Sequence, residues 1–121
     1  GHSLTGEDAL TGGPASSQPG MPCPDAPLDN RYLLSKLSGG FTLMTLNTDA
    51  PSLQQIEGIE IAQLELSATS DSNKTLGERF LGTAERAVYL IRPDQHIVAR
   101  WSEYDAARVQ MAVETALGKI Q

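Results

Sequence analysis

The densest apolar run in this chain is Phe41–Leu46 (Phe-Thr-Leu-Met-Thr-Leu), where large side chains alternate onto both faces. That is the pattern of a central strand covered on both sides. Ile59–Leu66 (Ile-Glu-Ile-Ala-Gln-Leu-Glu-Leu) reads as a second strand. Between them, Pro51 and Ser52 offer a helix start and Gly58 a stop, which predicts a short helix over residues 51–57. A helical link makes the two strands parallel, joined right-handed as one βαβ unit.

Further along, residues 68–74 are polar and loop-like, and residues 75–81 form a weak helix that carries Gly77 and ends at Gly82. Ala87–Ile91 and Ile97–Trp101 flank Arg92-Pro93-Asp94-Gln95-His96, whose Pro-Asp pair supplies turn chemistry, so this is a β-hairpin. In its second strand Ile97, Ala99 and Trp101 alternate with His96, Val98 and Arg100, which suits a strand near a sheet edge. Over residues 105–120, Val109, Ala112, Val113, Ala116, Leu117 and Ile120 recur at the helical period, predicting an amphipathic helix that covers the sheet.

The N-terminal part is different. Gly1-His2-Ser3 reads as the remnant of a cleaved tag, and residues 3–18 hold few large apolar groups, so residues 1–18 are expected to be tag remnant and flexible linker. Four prolines, Pro19, Pro22, Pro24 and Pro27, force an extended or turning path over residues 19–28, and residues 30–36 read as a short helix before Gly39-Gly40. The ordered domain is thus expected over residues 19–121.

Composition narrows what such a domain can do. The 15 acidic against 9 basic residues give a formal charge of −6, with no basic run to neutralise phosphates, so nucleic acid is not an expected partner. No stretch is long and apolar enough for a membrane span and no signal peptide is evident, so the cytoplasm is the expected compartment. Cys23 is the single cysteine, which excludes an internal disulfide and a cysteine-rich zinc site. No set of residues forms a catalytic, cofactor-binding or metal-ligating constellation.

The order strand, helix, strand, helix, hairpin, helix resembles the thioredoxin fold: a βαβαββα chain with a mixed four-stranded sheet and flanking helices. Thioredoxins place a Cys-X-X-Cys pair where the first strand meets its helix, because the helix N-terminus lowers the thiol pKa. Here that position reads Asn47-Thr48-Asp49-Ala50-Pro51, and Thr83-Ala84-Glu85-Arg86 stands where thioredoxins carry a proline before the third core strand. The fold is expected without dithiol chemistry.

Three stretches carry a closer resemblance: Pro24-Asp25-Ala26-Pro27-Leu28, Gly39-Gly40-Phe41-Thr42-Leu43, and the run from Val88 through Arg92-Pro93-Asp94-Gln95-His96 to Trp101. Together they resemble the C-terminal domain of FAD-dependent aromatic hydroxylases of the phenol hydroxylase and 3-(3-hydroxyphenyl)propionate hydroxylase type. The resemblance implies a parent in which preceding domains hold FAD and a phenolic substrate and NADPH or NADH reduces the flavin. The C-terminal domain would then be structural, a partner of those domains that helps subunits associate as a homodimer. It implies no FAD-binding residue here, since no Gly-X-Gly-X-X-Gly follows a strand. Two other readings remain open: a free-standing, redox-inactive thioredoxin-like module that binds a protein through its edge strand or the exposed end of the hairpin, and a one-cysteine peroxide or thiol enzyme.

Individual residues admit sharper readings. Cys23 could be a redox sensor, but it lacks a resolving partner, which favours a passive thiol. His96 could pair with Asp94 as an acid/base couple, against a turn-stabilising bond. Arg92 and Arg100 could bind an anion such as a cofactor phosphate, against ion pairing within the domain. Trp101 and Tyr104 could anchor a subunit contact, against core packing. Asn73-Lys74-Thr75 matches a glycosylation acceptor that carries no meaning in a cytoplasmic chain.

Overall fold

The computed structural model describes residues 6–53, 55–68 and 73–118; the expected tag remnant Gly1-His2-Ser3 lies outside the described residues. The elements run β1 (Asp8–Ala9), β2 (Pro27–Leu28), β3 (Arg31–Tyr32), β4 (Phe41–Leu46), β5 (Gln55–Ile56), β6 (Ile59–Leu66), α1 (Lys74–Phe80), β7 (Ala87–Ile91), β8 (Ile97–Trp101) and α2 (Ala106–Ala116). Six strands form one sheet in the order β1-β8-β7-β4-β6-β5, while β2 and β3 make a separate hairpin. β4 runs parallel to β6 and antiparallel to β7, which is antiparallel to β8. The central strands, taken from β6 across to β8, thus stand in the order second, first, third, fourth, and with α1 and α2 they make a thioredoxin-like α/β fold.

Two apolar layers sandwich the sheet. Met44, Leu46, Ala87, Tyr89 and Ile91 pack against Leu76 and Phe80 of α1 and against Leu33. On the other face Leu43, Val88, Leu90 and Trp101 meet Val109, Ala112 and Val113 of α2. All five residues of β7 are buried, as a strand covered on both faces must be. Asp105 caps α2, its carboxylate accepting from the Arg108 N–H at 3.1 Å.

The hairpin, α1 and α2 stand where the periodicity puts them, but Leu117 is exposed rather than on the buried stripe, and Ile120 lies outside the described residues. No helix occupies residues 51–53 or 55–57. Instead β5 pairs antiparallel with the start of β6, and the turn residues Glu57 and Gly58 have φ of 54° and 75°. Positive φ at both central positions is what a two-residue primed hairpin turn requires, so Gly58 is a turn glycine and not a helix stop. Gln63 of β6 holds the preceding segment with both ends of its amide: Oε1 accepts from the Leu53 N–H at 2.7 Å and Nε2 donates to the Pro51 carbonyl at 2.9 Å. The expected helix over residues 30–36 is likewise only a 3-10 turn, Leu33–Lys36, preceded by β3.

The largest correction concerns the N-terminal lead. From Gly6 onward it is part of the sheet rather than a linker: β1 pairs parallel with β8, Asp8 opposite Arg100 and Ala9 opposite Trp101. The Gly6 N–H donates to the Val98 carbonyl at 2.6 Å and the Arg100 N–H to the Glu7 carbonyl at 3.1 Å. Residues 20–23 then cover the other half of the same strand, with Gly20 N–H to Ile97 O at 2.8 Å and Ile97 N–H to Met21 O at 2.9 Å. β8 is therefore not an edge, and all five of its residues are buried. Its alternation is also broken, because Leu90 faces Ala99 while Ile91 faces Ile97, leaving Val98 as the extra residue of a bulge. Val98 joins Ala99 and Trp101 toward α2, while Ile97 packs on the opposite layer.

Glycines make the docking of the lead possible. A Cβ on Gly82, whose φ is +59°, would lie 2.4 Å from the Gly12 carbonyl oxygen, whereas one on Gly39 at φ +85° would meet nothing within 4 Å. Gly82→Ala is expected to lower stability by about 3 kcal/mol, combining backbone strain with a clash against main chain. Gly39→Ala should lower it by only ~1 kcal/mol. Urea denaturation midpoints of the two variants check the difference; equal effects would mean that the lead does not press on this turn.

Candidate functional site

A basic residue in the middle of the apolar strand Ile-Val-Ala-Arg-Trp creates an electrostatic demand. Arg100 is 3% exposed, and an unpaired charge at such a position is prohibitively costly. The N-terminal lead meets the demand. Asp8 accepts from Nε at 2.7 Å through Oδ1 and from Nη2 at 3.0 Å through Oδ2, the bidentate geometry that matches a guanidinium to a carboxylate. Nη1 donates to the Pro14 carbonyl at 2.6 Å and to Ser17 Oγ at 3.1 Å.

The network continues into the core. Ser17 Oγ and the Tyr89 hydroxyl are 2.8 Å apart, and Tyr89 donates to the Phe80 carbonyl at 2.6 Å. Since the phenol has one proton and it points to Phe80, Ser17 donates to Tyr89 and accepts from Arg100. The directed chain from Arg100 through Ser17 and Tyr89 to Phe80 ties β8, the lead, β7 and the end of α1 together. Phe80 and Tyr89 also meet edge to face, ring centroids 5.3 Å apart. Burial pushes the Tyr89 phenol up, and the hydrogen bond to Arg100 holds the Asp8 carboxyl below its usual range. Burial alone would lower the Arg100 value, but the hydrogen-bonded Asp8 carboxylate, together with the nearby Tyr89 phenol, outweighs that and raises it.

The other sequence candidates do not converge. Arg92 lies three residues beyond Tyr89, the strand partner of Arg100, and it is held by Asp94 in a second bidentate pair, Nε to Oδ1 at 2.9 Å and Nη2 to Oδ2 at 2.6 Å. The two arginines therefore do not form one anion site. Asp94, brought down to about 2 chiefly by that Arg92 hydrogen bond, serves the arginine before the histidine. His96 sits 3.5 Å from its Oδ1 and donates its backbone N–H to the same oxygen at 3.4 Å. These contacts close the turn between β7 and β8. Trp101 is a core residue whose Nε1 donates to Glu7 Oε1 at 2.6 Å, and Tyr104 packs at the margin of the same layer.

At the thioredoxin dithiol position stands Asn47, with φ of 60°. Asparagine tolerates that conformation better than most residues. Its Oδ1 accepts from the Ala68 N–H at 2.8 Å and its Nδ2 donates to the Glu85 carbonyl at 3.1 Å. The loop where a thioredoxin keeps its proline is thereby latched to the loop where it keeps its cysteines. Cys23 is at the other end of the sheet, its N–H donating to Gln95 O at 2.7 Å beside the start of β8. Burial first, and the Asp25 charge second, push its thiol up to about 12. Asn73, the acceptor of the glycosylation pattern, donates its side-chain amide to the Ser67 carbonyl at 2.6 Å just before α1.

Sequence reading missed Asp8, Ser17 and Asn47. A lone arginine in an apolar strand was the available signal, since it calls for a carboxylate somewhere in the chain. Among the described residues the features present do not fit a flavin phosphate: the guanidiniums of Arg92 and Arg100 are closed by Asp94 and Asp8, and β4 leads into the β5 hairpin rather than directly into a helix N-terminus. Among the described residues there is no group of three or more His, Cys, Asp or Glu placed to hold a metal, and no helix is long and apolar enough to cross a membrane.

No protein-family profile matches the chain, and no curated protein sequence does. Among solved structures it is similar to the flavin-dependent monooxygenase PieE, determined in complex with FAD and substrate, with a TM-score of 0.66 and 24% sequence identity. The match covers 88% of this chain and 21% of the PieE chain, so this chain spans about a fifth of the length of that enzyme and shares the fold of that part.

Two predictions follow from the buried groups. Asp8→Ala strands a buried guanidinium and is expected to cost about 2 kcal/mol, whereas the Asp8→Leu/Arg100→Met double substitution recovers most of the loss. Because the Asp8 carboxyl is depressed in the native state, its contribution is complete above pH 3.8 and disappears as pH falls through the lowered native value. Thermal melts of both variants between pH 2 and 7 read this directly: wild type should lose its advantage over Asp8→Ala on acidification. The raised Cys23 thiol works in the opposite pH range. It keeps its proton in the native state while the unfolded thiol ionises near 9.0, so it erodes stability from there toward about pH 12. At pH 8 an aromatic disulfide reagent should label Cys23 only after denaturant is added, and fast labelling of folded protein would show an accessible thiolate.

Proposed function

We propose that this chain is the thioredoxin-like C-terminal domain of an FAD-dependent monooxygenase that hydroxylates phenolic or other aromatic compounds. In this reading the preceding domains bind the flavin and the substrate, NADPH or NADH supplies the electrons, and the enzyme works in the cytoplasm. The domain itself serves assembly, packing on those domains and joining subunits. The observation that carries the proposal is the fold match over 88% of this chain to 21% of a flavin-dependent monooxygenase. The Pro24–Leu28 stretch, the Gly39-Gly40-Phe41 stretch and the Arg92-to-Trp101 stretch, which resemble the same enzyme class, support it.

The way the polar side chains are used favours a non-catalytic role within that enzyme. Arg100, Arg92 and Asn47 each make their hydrogen bonds to groups of this same domain. When bound in the parent, the flavin would supply the redox chemistry, and no residue of this domain is assigned to it.

Titrating this chain into FAD should leave flavin fluorescence unchanged, and tight saturable quenching would overturn the division of labour. The gene gives an independent check. Several hundred codons upstream in the same frame, with a dinucleotide-binding glycine motif after a strand, are expected; a native start near Leu4 would instead identify a free-standing binding module.

A further inference from the structure

The outer side of β8 is a strand-binding groove already filled by the chain's own lead. Residues 6–17 touch the body through the β8 backbone, the Asp8–Arg100 pair, Ser17 against Tyr89, and the Gly12 carbonyl, which accepts from the Thr83 N–H at 3.1 Å. They then return through one tight turn. Pro19 and Gly20 are its central residues, the Met21 N–H donates to the Gln18 carbonyl at 3.1 Å, and Gly20 has φ of +94°. A proline followed by a positive-φ glycine is the pairing a type II turn demands.

We infer that this lead is an exchangeable strap, and that two copies of the chain associate by each seating residues 6–17 on the β8 of the other. The chemistry restricts what can fill the groove. If the strap lifts, Arg100 loses its carboxylate together with its Pro14 and Ser17 acceptors, and an apolar strand is left with a free edge. Residues 6–17 of a second copy supply Asp8, Pro14 and Ser17 in the same register, so exchange keeps the bonds that residues 6–17 make to the body and gives up those of the Gln18–Met21 turn. The hinge suits this, since Gln18 before Pro19 is already extended at φ −68° and ψ 154°, and straightening Gly20 turns the fold-back into a continuous strand. The inference deepens the assembly role proposed above. It is tested on this chain alone, so its failure would leave the upstream-frame and flavin tests of that role untouched.

Gly20→Val disfavours the positive φ of the closed turn while leaving every residue of the groove in place. Because the penalty is relieved in both chains of an exchanged dimer, sedimentation velocity should show the dimer dissociation constant lowered by roughly tenfold or more relative to wild type. A Gly20→Val protein that is folded and stays monomeric at the highest concentrations reached overturns the inference. Charge reversal tests the pairing itself. Asp8→Arg and Arg100→Asp each abolish the pair within one chain, but mixing the two restores it twice across an exchanged dimer. The mixture should melt above either variant alone and sediment as a one-to-one heterodimer; a mixture that behaves as the sum of its parts, with Gly20→Val no more associated than wild type, refutes exchange.

Discussion

The buried guanidinium of Arg100 is the constraint around which this domain closes. A charge at 3% exposure in a strand of otherwise apolar residues is tolerable only with a carboxylate and further acceptors in place. The lead supplies all of them: both Asp8 oxygens, the Pro14 carbonyl and Ser17 Oγ. A segment with little apolar surface is thus ordered by polar satisfaction instead of by burial of its own side chains. The same contacts bring Gly13 so near that a Cβ there would lie 2.8 Å from the guanidinium carbon, which is why glycine stands at that point of the lead.

Sealing the sheet follows from the same arrangement. An uncovered β8 would present its backbone and the bulged Val98 to any passing strand. Residues 6–9 and 20–23 occupy that edge from its two ends, parallel at one and bridging at the other, and Arg100 fills the loop between them. At the opposite edge the β5 hairpin pairs with the first two residues of β6, and Glu60 and Glu65 leave that strand partly charged. The domain therefore closes one edge with its own chain and leaves the other to charge and a short hairpin.

What could be read from the sequence divides along physical lines. β4, β6, the β7–β8 hairpin, α1 and α2 are legible because their apolar periodicity is strong and local. The segment before β6 was misread because Pro51 and Gly58 punctuate a helix and a primed hairpin equally well, and the choice rests on Gln63, whose amide bonds lie outside the segment. The lead was misread for a related reason: its order comes from Arg100, more than 80 residues away in the chain, and composition carries no trace of such a partner. The absence of a dithiol was plain from Cys23 alone. That Asn47 would bridge the two loops in its place was not, because a side chain bonding Ala68 and Glu85 is a tertiary fact.

These losses and gains are connected. In a thioredoxin the helix after the first strand fixes the dithiol and points amides at the thiolate; here that helix is replaced by a segment pinned to Gln63, and the strand end is held by an asparagine in a left-handed conformation. Among the described residues no helix N-terminus stands directly after β4, so a cysteine introduced at Asn47 would lack the helix amides that make a thioredoxin thiol a nucleophile. The same substitution would release Glu85 and Ala68 from their shared amide. The loop geometry that gives redox function elsewhere in this fold has here become a structural joint, and its polar groups, like those around Arg100, are directed at the domain's own backbone.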